Sequence, residues 1–144
     1  MTNSRHKGAS GERELFKLLG ESLGIKVERN LSQTRDGGYD TLVGDFCVEC
    51  KRAEVLCLPE WWRQTVTQAN ASGKRPMLIY RPSRHPWRVR VTGADYVALN
   101  AFNGSLSDVA TKLATLHALD DIIELDLPAA IRLIRLTLNE GNPQ

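Results

Sequence analysis

The chain has 144 residues, of which 42% are hydrophobic and 25% charged, and these values fit one ordinary globular domain. No apolar run approaches the roughly 18 residues that a membrane helix needs. The polar N-terminus lacks the apolar core of a signal peptide. The composition therefore excludes a membrane protein and predicts a cytoplasmic one.

The net charge of +2 conceals an asymmetry along the chain. Through Thr92 there are 16 Lys and Arg residues against 10 Asp and Glu, whereas from Gly93 onward there are 3 against 7. A basic front portion is what a polyanion-binding surface requires. The alternative is that these lysines and arginines are scattered and serve only solubility.

The cysteines, an odd number, give no disulfide framework. Cys47 and Cys50 form a C-x-x-C string, which is found in zinc and redox sites. On a strand, however, residues three apart point to opposite faces. We therefore predict that both are buried free thiols.

The first predicted helix begins at Ser10, a plausible N-cap, and ends at Gly24. Its apolar stripe consists of Leu15, Phe16, Leu19 and Leu23. Glu12 lies on this stripe, so that it either favours the positive end of the helix dipole or points into a functional site. Glu14 and Glu21 lie off the stripe and are interpreted as solvated charges.

A short strand is predicted at Ile25–Asn30, followed by a polar, flexible loop over Leu31–Gly38. Arg29 and Arg35 make this region cationic. A mobile cationic loop can close over a phosphate backbone, so we predict contact with nucleic acid here.

Two strand-like runs, Tyr39–Val43 and Phe46–Lys51, flank a Gly44-Asp45 pair and predict a tight hairpin. Side chains alternate between faces along a strand, so Glu49 and Lys51 project side by side. Asp40 folds back beside them across the hairpin.

Two carboxylates with a lysine and nearby backbone carbonyls form an oxygen-rich site that suits Mg²⁺ or Mn²⁺. The alternative is that the Glu-x-Lys pattern marks only a solvated strand face.

A second helix is predicted over Pro59–Ser72, with proline in its first turn and Gly73 after its end. Gln64 and Gln68 share one face and reach either the site or solvent. The apolar run Pro76–Tyr80 is typical of a central strand.

A basic turn, Arg81–Pro86, leads into Trp87–Val91, which alternates apolar and arginine residues like a half-buried strand. One interpretation is that the arginine face lies against nucleic acid, with His85 or Trp87 stacked on a base. The other is an exposed edge strand protected by charge. The sequence favours neither.

The remaining chain is predicted to contain a short strand at Tyr96–Leu99 and helices at Ser105–Leu119 and Pro128–Asn139. The leucine-rich helices carry little chemistry and are interpreted as packing or self-association elements. We accordingly divide the chain into a site-bearing core, residues 1–92, and a mainly helical extension, residues 93–144.

The assembled pattern resembles the PD-(D/E)XK nuclease superfamily, and within it the archaeal-type Holliday-junction resolvases and their phage-encoded relatives. The residues that carry the resemblance are Lys7-Gly8, Glu12-Arg13-Glu14-Leu15, Arg29, Ser32, Asp40 and Glu49-Cys50-Lys51. It covers roughly Arg5–Val91. The proline that usually precedes the first aspartate is replaced by Tyr39, and Asp36 and Asp45 are rival carboxylates.

The resemblance implies a restriction-endonuclease-like three-layer α/β fold, with a mixed β-sheet flanked by helices. It also implies Mg²⁺-dependent DNA hydrolysis, with Mn²⁺ as a possible substitute, by a phage- or prokaryote-encoded homodimer acting on four-way junctions. The implied metal ligands are Asp40, Glu49 and the Cys50 backbone carbonyl. Lys51 then acts on the water or phosphate, and Glu12 holds a metal-bound water or a second ion.

The DNA contacts predicted from the resemblance and the basic segments are Lys7, Arg13, Arg29, Ser32, Arg35, Gln68, Arg84 and Arg88. Three alternatives remain open at this point. The first is a related nuclease that cuts flaps, ends or duplex DNA. The second is a DNA-binding module without catalysis, and the third is an interaction protein held together by its leucine-rich tail.

Overall fold

The computed structural model describes residues 3–31, 38–101 and 121–139. These residues form helices and strands in the order α1 (Asn3–Leu23), β1 (Thr41–Val43), β2 (Phe46–Ala53), α2 (Leu58–Ser72), β3 (Arg75–Pro82), β4 (Arg88–Thr92), α3 (Gly93–Ala101), β5 (Ile122–Asp126) and α4 (Leu127–Asn139). Within these ranges, none of the helices combines the length and the hydrophobicity of a membrane span.

The strands form one mixed sheet whose spatial order follows the chain, β1-β2-β3-β4-β5. Neighbouring strands are antiparallel except β2 and β3, which are parallel. A parallel pair needs a long crossover, and α2 supplies it. The predicted central strand is β3, in the middle of the sheet.

One face of the sheet carries the main hydrophobic core. Its strand residues include Val48, Ile79 and Val89, which are fully buried. The helices α1, α3 and α4 cover this face with Leu15, Leu19, Leu99, Ala130, Leu133 and Ile134.

The second face of the sheet is covered by α2, which packs on β2 and β3. None of the residues of α2 joins the main core, although Thr65, Gln68 and Ala69 of this helix are buried. Helices therefore lie on both faces, and the predicted three-layer α/β fold is confirmed.

The predicted hairpin is confirmed. Gly44 occupies the turn between β1 and β2 with φ of +58°, a conformation that favours glycine. A β-carbon at this position would overlap with Oγ1 of Thr137 on α4. Glycine is thus required both by the backbone and by the close approach of α4.

The second predicted helix is also confirmed, because α2 spans Leu58–Ser72. Pro59 lies in its first turn, and Gly73 follows its end with φ of 67°. The Gly73 N–H donates to carbonyls of the last turn, as in a standard glycine C-cap.

The predicted start of the first helix is wrong. The helix α1 begins at Asn3 rather than at Ser10, because no proline interrupts the preceding residues and Gly8 is tolerated inside the helix. Glu12 consequently lies well beyond the first turn, so that the helix-dipole explanation for this carboxylate is wrong as well. The predicted end is correct, since Gly24 has φ of +67°.

The segment predicted as a strand at Ile25–Asn30 is not part of the sheet. It makes isolated bonds beside the first strand: the Asn30 N–H donates to the Asp40 carbonyl at 2.7 Å, and the Thr41 hydroxyl donates to the Glu28 carbonyl. A β-ladder needs a regular series of backbone hydrogen bonds, and these two isolated bonds do not form one.

The strand predicted at Tyr96–Leu99 is also wrong, because these residues lie in α3. Oγ1 of Thr92 accepts from the Asp95 N–H at 3.0 Å and so caps the helix start. A short apolar run suits either conformation, and here the cap decides.

The strand β5 at Ile122–Asp126 is not among the predicted elements. Because β5 pairs with β4, β4 is an interior strand and the edge-strand interpretation of Trp87–Val91 is wrong. The helix predicted at Pro128–Asn139 is confirmed as α4. The helix predicted at Ser105–Leu119 lies outside the described residues.

Candidate active site

The hairpin fixes Asp40 against the second strand. The residue precedes β1 directly, and its N–H donates to the Val48 carbonyl at 3.1 Å. Its Oδ2 accepts from the Cys50 N–H at 2.7 Å. One hydrogen bond from the backbone of Asp40 and one to its side chain thus fix the residue beside β2, the strand that carries Glu49. Asp40 is only 5% exposed.

Glu49 and Lys51 point to the same face of β2, as predicted. The Lys51 Nζ lies 3.0 Å from Oε1 of Glu49, whose side chain is only 3% exposed. Oε2 of Glu49 is buried and accepts no hydrogen bond from the part of the chain that the structure describes. The interpretation of this strand as a solvated face is therefore wrong.

Glu12 faces the same region from α1. Its side chain is 14% exposed, and its Oε1 lies 3.1 Å from Nε of Arg29. Burial, and next the charge of Asp40, raise the pKa of Glu12, against the opposing effects of Arg29 and Arg13. The interpretation that Glu12 points into a site is the one that this geometry supports.

The three carboxylates form one electrostatic unit. Burial first, and then the charge of Asp40, raise the pKa of Glu49 to about 7, although Lys51 opposes the change and Glu12 adds to it. Buried like charges close to each other are unfavourable unless a cation is present. The arrangement thus has the electrostatic character of a cation site.

The oxygen atoms of this site are of the kind that can bind a metal ion. Between residues 3 and 139, within the described ranges, no three His, Cys, Asp or Glu side chains form a ready-made metal cluster. Mg²⁺ commonly takes one or two carboxylates, with waters and substrate phosphate completing its shell. Asp40, the orphaned oxygen of Glu49 and the Cys50 carbonyl fit that requirement.

The rival carboxylate Asp45 has another role. Its Oδ2 lies 2.9 Å from Nε of Arg75, and its Oδ1 lies 3.5 Å from Nζ of Lys74. Asp45 is thereby engaged in joining the hairpin turn to the start of β3 and is not a candidate ligand. The other rival, Asp36, lies outside the described residues.

The cysteines are free, as predicted, but Cys50 is half-buried rather than buried, and Cys57 is exposed. Cys47 is buried, and burial raises its pKa to about 11. Burial likewise raises the pKa of Cys50. Both thiols stay protonated near neutral pH, and Cys50 can serve the site only through its backbone.

The residues predicted to contact DNA differ in their exposure to solvent. Arg13, Arg29, Arg84 and Arg88 are exposed, whereas Gln68 is 8% exposed and lines a groove along α2. Arg88 also lies 3.8 Å from Glu124. Ser32, Arg35 and the side chain of Lys7 are outside what the structure describes.

Strand register aligns Lys51 with a row of side chains that the sequence could not reveal. Lys51 pairs with Tyr80, and Tyr80 pairs with Arg88, so that all three point to one face of the sheet. Two strand spacings separate Lys51 from Arg88, which is about 10 Å between backbones. The Tyr80 hydroxyl donates to Oε1 of Glu124 on β5.

Trp87 is not available to stack on a base, because it is 7% exposed and the Arg81 guanidinium lies 4.6 Å from the centre of its ring. His85 is exposed, and its stacking on a base stays a prediction. Both terminal nitrogens of Arg81 also bind Glu14, each at 2.9 Å. Glu14 is exposed, as predicted, but it also pairs with Arg81, and no local pattern signals a partner so distant in sequence.

Comparison with known proteins places these features in context. No curated protein matches the sequence significantly. A solved structure with some similarity is Hjc, a Holliday junction resolvase from the archaeal hyperthermophile Archaeoglobus fulgidus, with 22% identity and a TM-score of 0.42 over 54% of this chain and 70% of that one. The family model described as "Phage putative PDDEXK endonuclease" matches residues 3–124, and the chain therefore belongs to this family of nucleases.

Proposed function

We propose that the protein is an Mg²⁺-dependent endonuclease that resolves four-way (Holliday) DNA junctions. The observation that carries the proposal is the pairing of two buried carboxylates, Asp40 and Glu49, with the Lys51 ammonium at 3.0 Å from Glu49. Nucleases of the PD-(D/E)XK type generally use divalent metal ions. For this chain we propose Mg²⁺, with Mn²⁺ as a substitute.

Asp40, Glu49 and the Cys50 carbonyl would hold the ion. When bound, a divalent cation makes a coordinated water more acidic and neutralises charge on the phosphate. Oε2 of Glu49 is the oxygen best suited to this task, because it is buried and Lys51 binds the other oxygen. Glu12 would hold a water of the ion or a second ion.

Lys51 has an electrostatic role in this proposal. Its ammonium group lies 3.0 Å from a carboxylate oxygen, where a cation stabilises nearby negative charge. Lys51 would leave Oε1 of Glu49 partly or wholly when the scissile phosphate arrives. It would then orient the attacking water and offset the charge that grows on the phosphate oxygens.

The exposed arginines would position the DNA. Arg13 and Arg29 flank Glu12, while Arg88 lies on the Lys51 face about 10 Å away. Contacts of this type bind phosphates without reading base sequence. Lys7, Ser32, Arg35, Gln68 and Arg84 remain predicted contacts.

Recognition of branched DNA in particular rests on the order and spacing of the site residues, which resemble those of the resolvases. Paired cuts in a junction require two active sites, so we propose a homodimer that acts in the cytoplasm of a prokaryotic cell. The chain from residue 93 remains our candidate for self-association, in addition to the packing of β5 and α4 described above.

The proposal is tested by cleavage of an immobile four-way junction with Mg²⁺, beside linear duplex and flap substrates. The variant is Asp40→Asn, which keeps an acceptor for the Cys50 N–H but removes the negative charge. Asp45→Asn is the matched control, because Asp45 pairs with Arg75 outside the site.

We expect paired, symmetric cuts in the junction for the wild type and Asp45→Asn, and none for Asp40→Asn, which should bind the junction at least as tightly. Cutting of flaps or duplex alone would support a nuclease but contradict the junction as its substrate. Tight binding without cleavage of any substrate would favour the DNA-binding module. Absence of DNA binding would favour the interaction protein.

A further inference from the structure

The ion pair between Arg29 and Glu12 joins a residue proposed to bind DNA to one proposed to serve the metal site. Nε of Arg29 lies 3.1 Å from Oε1 of Glu12. The arginine side chain is 53% exposed, whereas the glutamate is 14% exposed. The pair therefore lies at the boundary between the buried carboxylates and the surface that DNA would approach.

We infer that Arg29 changes partners when DNA binds: in the free protein it neutralises Glu12, and in the complex it binds a phosphate and releases Glu12 to the metal site. This inference rests on the proposed function, since it assigns a regulatory role to residues of the same site. It makes the metal site complete only when substrate is present.

The backbone next to Arg29 makes such an exchange feasible without movement of the fold. The Asn30 N–H donates to the Asp40 carbonyl at 2.7 Å, and the Asn30 side chain donates to the Tyr39 carbonyl at 3.1 Å. The chain is thus fastened beside Asp40. The exposed guanidinium can change direction by side-chain rotation alone, which takes nanoseconds or less.

Charge balance supplies the driving force. In the metal-free site Lys51 lies 3.0 Å from Glu49 and Arg29 lies 3.1 Å from Glu12, so that each cation acts as a direct counterion. The Arg29 side chain is 53% exposed, so that water and salt already compete with Glu12 for its guanidinium. An arginine can bind phosphate through two parallel hydrogen bonds, so that a DNA backbone competes effectively for Arg29.

The exchange makes a prediction that simple phosphate binding by Arg29 does not make. If Arg29 must leave Glu12 before it binds DNA, removing the charge of Glu12 strengthens DNA binding beyond the general effect of net charge only when Arg29 is present. Such a dependence of one residue's effect on the other is a coupling between two sites.

The test is a double-mutant cycle with Glu12→Gln and Arg29→Ala, measured as the dissociation constant of an immobile four-way junction in EDTA. Glu14→Gln is the matched control, because it removes one negative charge from the same helix at a residue that pairs with Arg81. Thermal unfolding of each variant verifies that the fold is intact.

We expect Glu12→Gln to tighten binding by about fivefold or more, and by more than Glu14→Gln does. In the Arg29→Ala background, Glu12→Gln should act no more strongly than Glu14→Gln. Equal tightening in both backgrounds would overturn the exchange, because it would show only a general effect of net charge.

A second arm measures the affinity of the DNA-free protein for Mn²⁺ by calorimetry. Arg29→Ala should raise this affinity more than Arg13→Ala, a control arginine that is exposed and acts on Glu12 through space. Equal effects would contradict the exchange. If the wild type bound neither Mn²⁺ nor junction DNA, the proposed function itself would be overturned. If it bound both, but the effects of Glu12→Gln and Arg29→Ala on the dissociation constant were additive, only the exchange would be overturned.

Discussion

The Lys51 ammonium binds one oxygen of Glu49 at 3.0 Å, while the other oxygen of Glu49 is buried and accepts no hydrogen bond from any described residue. A single ammonium therefore compensates only part of the cost of burying this carboxylate. The imbalance is visible in the pKa of Glu49, which burial and Asp40 raise to about 7.

This imbalance predicts that metal-free protein is less stable at high pH. Because the pKa of Glu49 lies above its usual value of 4.5, the folded state holds more protons between these values than the unfolded state does. Stability should fall as pH rises through this window, by up to about 3 kcal/mol from Glu49. Urea unfolding in EDTA at about pH 5 and about pH 8 measures the effect.

Glu49→Gln provides the control for this effect. The free energy of unfolding of the variant, relative to that of the wild type, should increase as pH rises from about 5 to about 8, since glutamine carries no charge in either state. A stability difference that does not change with pH would show that Glu49 titrates normally and would contradict the prediction.

Two of the glycines with left-handed backbone, Gly44 and Gly24, should differ in their tolerance of alanine. Both have positive φ, +58° and +67°, so that alanine costs about 1 kcal/mol at either from the backbone alone. At Gly24 nothing lies within 4 Å of an added β-carbon, whereas at Gly44 it would overlap with Thr137. Gly44→Ala should cost about 1–3 kcal/mol more than Gly24→Ala in urea unfolding. Equal losses would show that α4 can move aside.

The two hydrogen bonds between Arg81 and Glu14, here called the Arg81–Glu14 clamp, should stabilise the packing of α1 against the sheet. Arg81 makes two hydrogen bonds of 2.9 Å to Glu14 and covers Trp87, and it is 16% exposed. Arg81→Gln should therefore cost about 1 kcal/mol or more. Lys17→Gln removes an exposed pair of 4.0 Å and should change the unfolding free energy by less than about 0.5 kcal/mol. The reverse order would contradict the clamp.

The helix α4 should be part of the cooperative core. Ile134 is fully buried among core residues, so that Ile134→Ala should cost about 2–5 kcal/mol in unfolding free energy. Val55→Ala, at a residue that is 76% exposed, should cost less than about 0.5 kcal/mol. A small loss at Ile134 would show that α4 unfolds separately from the sheet.

The features that could be predicted from sequence are those determined by neighbours in the chain. Gly44 marks the hairpin turn, and Pro59 and Gly73 bound α2, because each acts through its own backbone. Asp40 and Glu49 could be paired in advance because one hairpin connects them.

The features that could not be predicted depend on partners distant in sequence. Arg81 and Glu14 are 67 positions apart, and Tyr80 and Glu124 are 44 apart. The strand β5 forms because β4 offers it an open edge, which its own five residues do not signal. The contact of Arg29 with Glu12 was equally hidden, since it depends on how the segment after α1 turns back.

The contact between Gly44 and Thr137 has a consequence for how the protein matures during synthesis. The ribosome adds about 5–20 residues each second, so that the hairpin emerges seconds before the helix that covers its turn. Until α4 has left the exit tunnel, the core that contains Phe46 and Val48 lacks Leu133 and Ile134. A nascent chain can thus form the hairpin before the helix that closes against its turn has been translated.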